Sequence, residues 1–211
     1  MMKNGWKKNM HFAFQELQKI DDLFKKIIKN HGLPKDRSVD NNFTSLARII
    51  IGQQISRSAA ESIFLKLKSK KLLCVKNILK IDLQELKKHG LSIQKCKYLH
   101  NLAEKISKKE IELNEFENAS SNEIFKSLII LNGVGEWTIN NYMLFALQDV
   151  DAWPGNDLAL QESIKRCKNL KIRPNKEEME IISNKWKPFR GAAALILWHY
   201  YGSTKSVNND K

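Results

Sequence analysis

The chain has 211 residues, 42% of them hydrophobic and 28% charged, a composition that suits a folded globular protein rather than a disordered polyelectrolyte. Lys and Arg exceed Asp and Glu by 13, so charge favours a polyanionic partner, nucleic acid before an anionic membrane. Cys74, Cys96 and Cys167 are widely spaced, and so are the five histidines, which excludes a disulfide framework, a C-x-x-C knuckle and a His-x-x-x-His zinc pair.

Met1 to Lys8 is polar and basic with no apolar run behind it, so no signal peptide is expected. Leu17, Ile20, Phe24, Ile27 and Ile28 recur at three- and four-residue steps and predict a first helix, stopped by His31-Gly32-Leu33-Pro34. Phe43, Leu46, Ala47, Ile50 and Ile51 predict a second helix, and Ile55, Ala59, Ile63 and Leu67 a third. The break between them, Gly52-Gln53-Gln54, is too short for a real loop. Gly90 and Ser92 form the turn and cap before a helix carrying Leu99, Leu102, Ala103 and Ile106. Ser120-x-x-Glu123 is a capping box that opens a helix with Ile124, Leu128 and Leu131. Gly133-Val134-Gly135 ends that helix, and the next carries Trp137, Leu144, Phe145 and Ala146.

Trp153-Pro154-Gly155-Asn156 reads as a turn, with a short helix from Asp157 to Arg166 behind it. Segments from Glu177 to Trp186 and from Phe189 to Tyr201 close the chain, and a polar tail from Ser203 to Lys211 is expected to fray. The longest apolar stretch, Ala192 to Trp198, is far too short to span a bilayer. Strand alternation is weak throughout, so an all-α fold is expected. The basic runs Lys66 to Lys71 and Lys105 to Lys109 read as solvated helix ends.

Two positions carry chemistry. In Leu131-Asn-Gly-Val-Gly-Glu-Trp-Thr138, glycines two apart join two helices. The first can take positive φ at a helix end, Val134 between them points inward, and the second leaves backbone N–H groups exposed where the helix dipole favours a phosphate oxygen. Asp157 follows about twenty residues later at a helix start, where an acid is also an ordinary stabilising choice.

The hairpin resembles the helix-hairpin-helix of DNA-binding proteins. Together with Ile51-Gly-Gln-Gln-Ile-Ser56, Gly90-Leu-Ser-Ile-Gln-Lys-Cys-Lys-Tyr98, Trp153-Pro-Gly-Asn-Asp157 and Trp186-Lys-Pro-Phe-Arg190, it makes the chain from about Phe43 to Tyr201 similar to the helix-hairpin-helix (HhH-GPD) DNA glycosylases, and within them to the alkylpurine or 3-methyladenine glycosylases. Asn132 departs from the family's usual proline and gives a less rigid hairpin entry.

That resemblance implies two helical subdomains with a central cleft, one over residues 41–149 with the hairpin at about 124–147, the other over 1–40 plus 150–211. The family's extra N-terminal β-domain is not expected. It implies removal of alkylated purines from duplex DNA by base flipping, with no organic cofactor, no membrane partner, and a monomer acting in the nucleoid of a bacterium or the nucleus of a eukaryote. Asp157 takes the catalytic position, where an ionised carboxylate stabilises the oxocarbenium-like sugar or orients a water. Trp137 stands where strand-nicking relatives carry a lysine that forms a Schiff base, so a monofunctional enzyme is expected. The resemblance makes Gln54 the intercalating wedge, Trp137 and Trp198 pocket aromatics, and Gly133, Val134, Gly135, Thr138, Ser56 and Arg190 contacts to the DNA backbone, although Arg190 could equally pair with an acid. Tyr142 and Tyr200 read better as core. The four-cysteine iron–sulfur site of some relatives is absent, and a Na+ or K+ ion on the hairpin carbonyls of Leu131 and Val134 is compatible with the pattern. A glycosylase for mismatched or oxidised bases, and a hairpin protein that binds DNA without catalysis, stay open as alternatives.

Overall fold

The run expected to form one helix over Leu17 to Ile28 forms two. In the computed structural model, which describes residues 3–208 and the side chains of 9–204, α1 spans Lys3–Ile20 and α2 spans Asp22–His31. Asp21 between them turns out of helical geometry at φ −148°, and its carboxylate accepts the Leu23 amide at 3.1 Å, an N-cap that restarts the helix. The same carboxylate accepts the Trp186 indole N–H at 3.0 Å and the Lys185 ammonium at 2.8 Å. Burial works to raise the Asp21 pKa, but those donors outweigh it and hold the group below its ordinary value.

The chain divides into two compact units, one comprising residues up to Ser38 together with those from Gln148 onward, the other running from Val39 to Leu147. In the second unit α3 (Phe43–Gly52), α4 (Arg57–Ser69), α5 (Val75–Lys80), α6 (Leu83–Lys87), α7 (Ile93–Ser107), a 3-10 turn at Leu113–Glu117, α8 (Ser121–Ile129) and α9 (Glu136–Phe145) follow one another. Its core takes the apolar faces of α3, α7 and α9, with Leu46, Ile50, Ile51, Leu99, Leu102, Ile139 and Leu144 all removed from solvent. Each such side chain contributes roughly 1.5–3 kcal/mol. Tyr142 is buried with them and donates its hydroxyl to Asn41 Oδ1, and burial pushes its pKa up.

Local caps set the helix starts. The Ser92 hydroxyl accepts the Lys95 amide at 3.2 Å to open α7, and Ser120 with Glu123 forms a reciprocal capping box on α8. Both basic runs do lie at helix ends, and Lys71 and Lys109 just beyond them take positive φ. The short helices α5 and α6 and the 3-10 turn escaped the periodicity reading because each is too brief to show a repeat.

In the first unit α10 (Leu158–Cys167), α11 (Lys176–Ser183), a 3-10 turn at Asn184–Trp186 and α12 (Arg190–Asn208) pack with α1 and α2. The expected helix over Glu177 to Trp186 therefore ends early in a tighter turn. Leu17, Phe24, Leu160, Ile164, Trp186 and the run Ala192 to Leu197 form its core. Ser203 and Thr204, expected in a frayed tail, lie within α12, while residues 209–211 fall outside the described range. Among the described residues there is no strand, and no helix is long and apolar enough to cross a membrane.

Candidate functional site

The two hairpin glycines are glycine for different reasons. Gly133 sits at φ +75°, and a Cβ there would lie 2.2 Å from ring atoms of Tyr98 on α7. The fold itself demands glycine at this point, through both the backbone conformation and the close ring. Gly135 has φ −105°, open to any residue, and a Cβ there would meet nothing within 4 Å. It is exposed, and as N-cap of α9 it offers no side chain to the helix start. The first amides of any helix have no carbonyl partner inside it, and the dipole places partial positive charge there. Nothing within the protein requires position 135 to be bare.

Between the glycines, Val134 is buried as expected, and its amide donates to the Leu131 carbonyl at 3.1 Å. At the hairpin entry the Asn132 amide donates to Asn101 Oδ1 on α7 at 3.1 Å. Trp137 is half-buried at the second position of α9, and its carbonyl accepts the Asn141 side-chain amide at 2.7 Å. The Thr138 side chain is not at the surface. It is 2% exposed, and its hydroxyl accepts the Gln53 side-chain amide at 2.8 Å, so any outward contact at 138 falls to the backbone.

Gln54 stands in the turn between α3 and α4, exposed, at φ +55°. That conformation is uncommon for a residue with a Cβ and costs on the order of 1–3 kcal/mol where it occurs. Ser56, expected at the DNA backbone, is exposed and caps α4, its hydroxyl accepting the Ala59 amide at 3.2 Å. Two residues singled out by no sequence argument hold this turn. The Lys95 ammonium donates to the carbonyls of Ile51 and Gln53, each at 2.7 Å, and Gln53 Nε2 donates to the Gly133 carbonyl at 2.8 Å as well as to Thr138. Partial burial of Lys95 lowers its pKa. Both residues lie inside motifs that carried the family resemblance, but nothing in one dimension tells that they meet.

In the other unit, Asp157 is the N-cap of α10. The Pro154 carbonyl accepts its amide at 2.9 Å, closing the Trp-Pro-Gly-Asn turn and setting the side chain at the helix start. Its Oδ1 accepts three N–H groups: Ala159 at 2.9 Å, Leu160 at 3.0 Å and the Trp198 indole at 2.9 Å. The carboxylate is thus held in one orientation while the residue stays partly exposed, and Leu158 beside it is 64% exposed. The arrangement presents a fixed negative charge to whatever approaches the start of α10.

The Trp198 indole, expected among the pocket aromatics, donates its N–H to Asp157 at 2.9 Å, and the Arg37 guanidinium lies 5.6 Å from its ring centroid, so a cation stands near its π surface. Arg190, open between a DNA phosphate and an acid, has an acid partner. Its Nε and Nη2 donate to the two oxygens of Asp151 at 3.0 and 2.7 Å, its backbone amide donates to Asp151 as well, and Glu180 lies at 3.5 Å. Burial works against the Arg190 charge, but the Asp151 carboxylate more than compensates and raises its pKa. Arg190 therefore ties the start of α12 to the turn before Trp153, for the physical reason that a bidentate carboxylate is the best partner a half-buried guanidinium can have. Tyr200, expected as core, is only partly buried and packs edge-on to the His31 ring. Among the described residues no three His, Cys, Asp or Glu side chains converge to hold a metal.

Residues 47–189 match the profile of the HhH-GPD superfamily base excision DNA repair protein. The chain is 30% identical over 196 residues to the alkylbase DNA glycosidase-like protein mag2 of Schizosaccharomyces pombe, covering 88% of this chain and 91% of that protein. It is 32% identical over 121 residues to YfjP of Bacillus subtilis, covering 57% of this chain and 42% of that one. Its fold superposes on the solved structure of the S. pombe 3-methyladenine DNA glycosylase Mag1 in complex with abasic DNA with a TM-score of 0.83, at 26% identity and covering 92% of this chain and 96% of that one.

Proposed function

Because the chain belongs to the HhH-GPD superfamily of base excision DNA repair proteins, we propose that it is a monofunctional DNA glycosylase that releases alkylated purines, of the 3-methyladenine and 7-methylguanine type, from duplex DNA. The observation that carries this reading is the Asp157 carboxylate, fixed by two helix amides and the Trp198 indole at the start of α10. Cleavage of the N-glycosidic bond sends the bonding electrons to the departing purine and leaves positive charge on the deoxyribose. A preorganised carboxylate stabilises that charge as it develops. Water adds to C1′ and gives up a proton, and the products are free base and an abasic site. An alkylated purine is already electron-poor, so its bond is weak and the protein has little acid catalysis to supply.

The remaining roles follow from position. The bare Gly135 start of α9 lets backbone amides approach a phosphate oxygen, and the net charge of +13 supports salt-dependent binding to duplex DNA. Trp137 offers an aromatic face to an electron-poor base, an interaction worth roughly 0.5–2 kcal/mol. No organic cofactor is required, and the protein works as a monomer. A Na+ or K+ ion would sit on the hairpin carbonyls of Leu131 and Val134, the first of which also accepts the Val134 amide at 3.1 Å.

A panel of duplexes, each bearing one lesion, tests the substrate. Release of 3-methyladenine or 7-methylguanine ahead of 8-oxoguanine and of mismatched bases is the expected result. Preferential release of an oxidised or mismatched base would reassign the lesion class, and binding without release from any duplex would reduce the protein to a DNA-binding module. The missing lysine at Trp137 makes a second expectation: borohydride should trap no covalent protein–DNA adduct, and no strand should break before alkali is added. A trapped adduct would show that another amine performs lyase chemistry.

Gln54 gives a third. Gln54→Gly removes the plug that would fill the gap left by a flipped base and also relieves the positive φ. Excision should therefore fall while thermal stability holds or rises by up to about 1 kcal/mol. Undiminished excision by this variant, measured in single turnover, would remove Gln54 from the mechanism.

A further inference from the structure

One side of α7 touches both parts of the DNA-facing apparatus in its unit. Lys95, Tyr98 and Asn101 lie at three-residue steps along that side. Lys95 donates to Ile51 and Gln53 in the turn that carries Gln54. The Tyr98 ring lies against Gly133, so closely that no Cβ could be added there. Asn101 accepts the amide of Asn132 at the hairpin entry. The three contacts span six residue steps of one helix, about 9 Å of axial rise. Gln53 then closes the figure from the far side, joining the plug turn directly to the Gly133 carbonyl and the Thr138 hydroxyl.

We propose that α7 acts as a ruler that sets the spacing between the base-plugging turn and the phosphate-gripping hairpin, with Lys95 and Gln53 as the positioning residues that couple the two. The inference rests on the reading of Gln54 as plug and of the hairpin as phosphate grip. Its physical basis is a matter of tolerance. A side chain that must enter the base stack while the backbone is held a few residues away works only when the two are fixed relative to each other within fractions of an ångström. The plug turn cannot fix itself, because it holds a glutamine at positive φ just beyond the end of α3. The carbonyls at that helix end need donors, and an ammonium reaching two of them clamps the turn in a way a single hydrogen bond could not. Gln53 makes the coupling mutual, since one amide group bonds the hairpin carbonyl and the first turn of α9 at once. The hairpin can still hold DNA when the clamp is lost, but the plug then arrives out of register.

The test compares Lys95→Met, Gln53→Met and the double variant with the wild type in two measurements on the full chain: the dissociation constant for an undamaged duplex, and the single-turnover rate of base release from a duplex methylated with dimethyl sulfate. Affinity should stay within about twofold, and the rate should fall on the order of tenfold in each single variant. The double variant should be little slower than either one, because both links support the same turn and their losses do not add. Lys95→Arg, which keeps a multiple donor at the same place, should recover most of the rate. Thermal unfolding of each variant corrects the rate to the folded fraction. If Lys95→Met does not fold, Gln53→Met carries the test, since that side chain is only partly buried. A wild-type rate per folded molecule in both single variants overturns the proposal, and so does a loss of affinity that parallels the loss of rate. A wild type that binds duplex but releases no base overturns the glycosylase reading, and the ruler falls with it.

Discussion

Asp157→Asn is expected to lower single-turnover base release by about 10²–10³-fold, the usual effect of removing one preorganised electrostatic group, with the fold intact. The structure makes this substitution unusually clean. Asparagine is as good an N-cap as aspartate, and its side-chain oxygen can accept the same three N–H groups, from Ala159, Leu160 and the Trp198 indole. Size, cap and orientation are kept, and only the charge goes. Thermal stability should therefore change by less than about 1 kcal/mol, and affinity for undamaged duplex should not weaken. Asp157→Ala is the informative contrast, because it also loses the cap, at about 0.5–2 kcal/mol, and leaves the Trp198 indole without this acceptor. Equal release by wild type and the asparagine variant would show that the carboxylate is a helix cap and nothing more.

The second large effect separates the two hairpin glycines. Gly133→Ala should destabilise the protein by about 2–5 kcal/mol, from roughly 1–2 kcal/mol for a side chain in the left-handed region and roughly 1–3 kcal/mol for overpacking against the Tyr98 ring. The unfolding midpoint should drop by on the order of 10 °C. Gly135→Ala should leave the fold nearly intact and act on DNA binding. Its φ of −105° and its empty surroundings limit the cost to about 1 kcal/mol, through the poorer N-cap. Binding of undamaged duplex should weaken by about 10–100-fold if the added methyl keeps a phosphate from the helix amides, the range of a charge-assisted hydrogen bond. Calorimetry and a duplex titration on the two variants decide it. Equal duplex affinity in wild type and Gly135→Ala would mean that the hairpin does not approach DNA at that residue.

Much of this protein can be read in its local sequence, and the parts that can share a physical origin. Ser92, Ser120 with Glu123, and Asp157 mark helix starts because a cap is made by atoms two or three residues apart. The inward Val134 follows from helix periodicity and turn chemistry alone. The break at Asp21 was missed because its apolar neighbours keep the helical repeat across it. What breaks the helix is a cap whose carboxylate is also taken by Trp186 and Lys185, far along the chain.

The all-helical class, the family, the bare hairpin and the position of the acid are legible in short stretches of the chain, because periodicity, caps and ordered motifs are local properties. Tertiary structure alone decided which long polar side chains meet. It gave Arg190, open between a phosphate and an acid, the carboxylate of Asp151, and it brought the Trp198 indole N–H to Asp157. It also brought Lys95 to carbonyls more than forty residues away and buried Thr138 under Gln53. A flexible side chain can reach many partners, and packing of the helices that carry it is what selects one. A half-buried donor must then find an acceptor, and the acceptors on offer are set by which helix ends lie within reach.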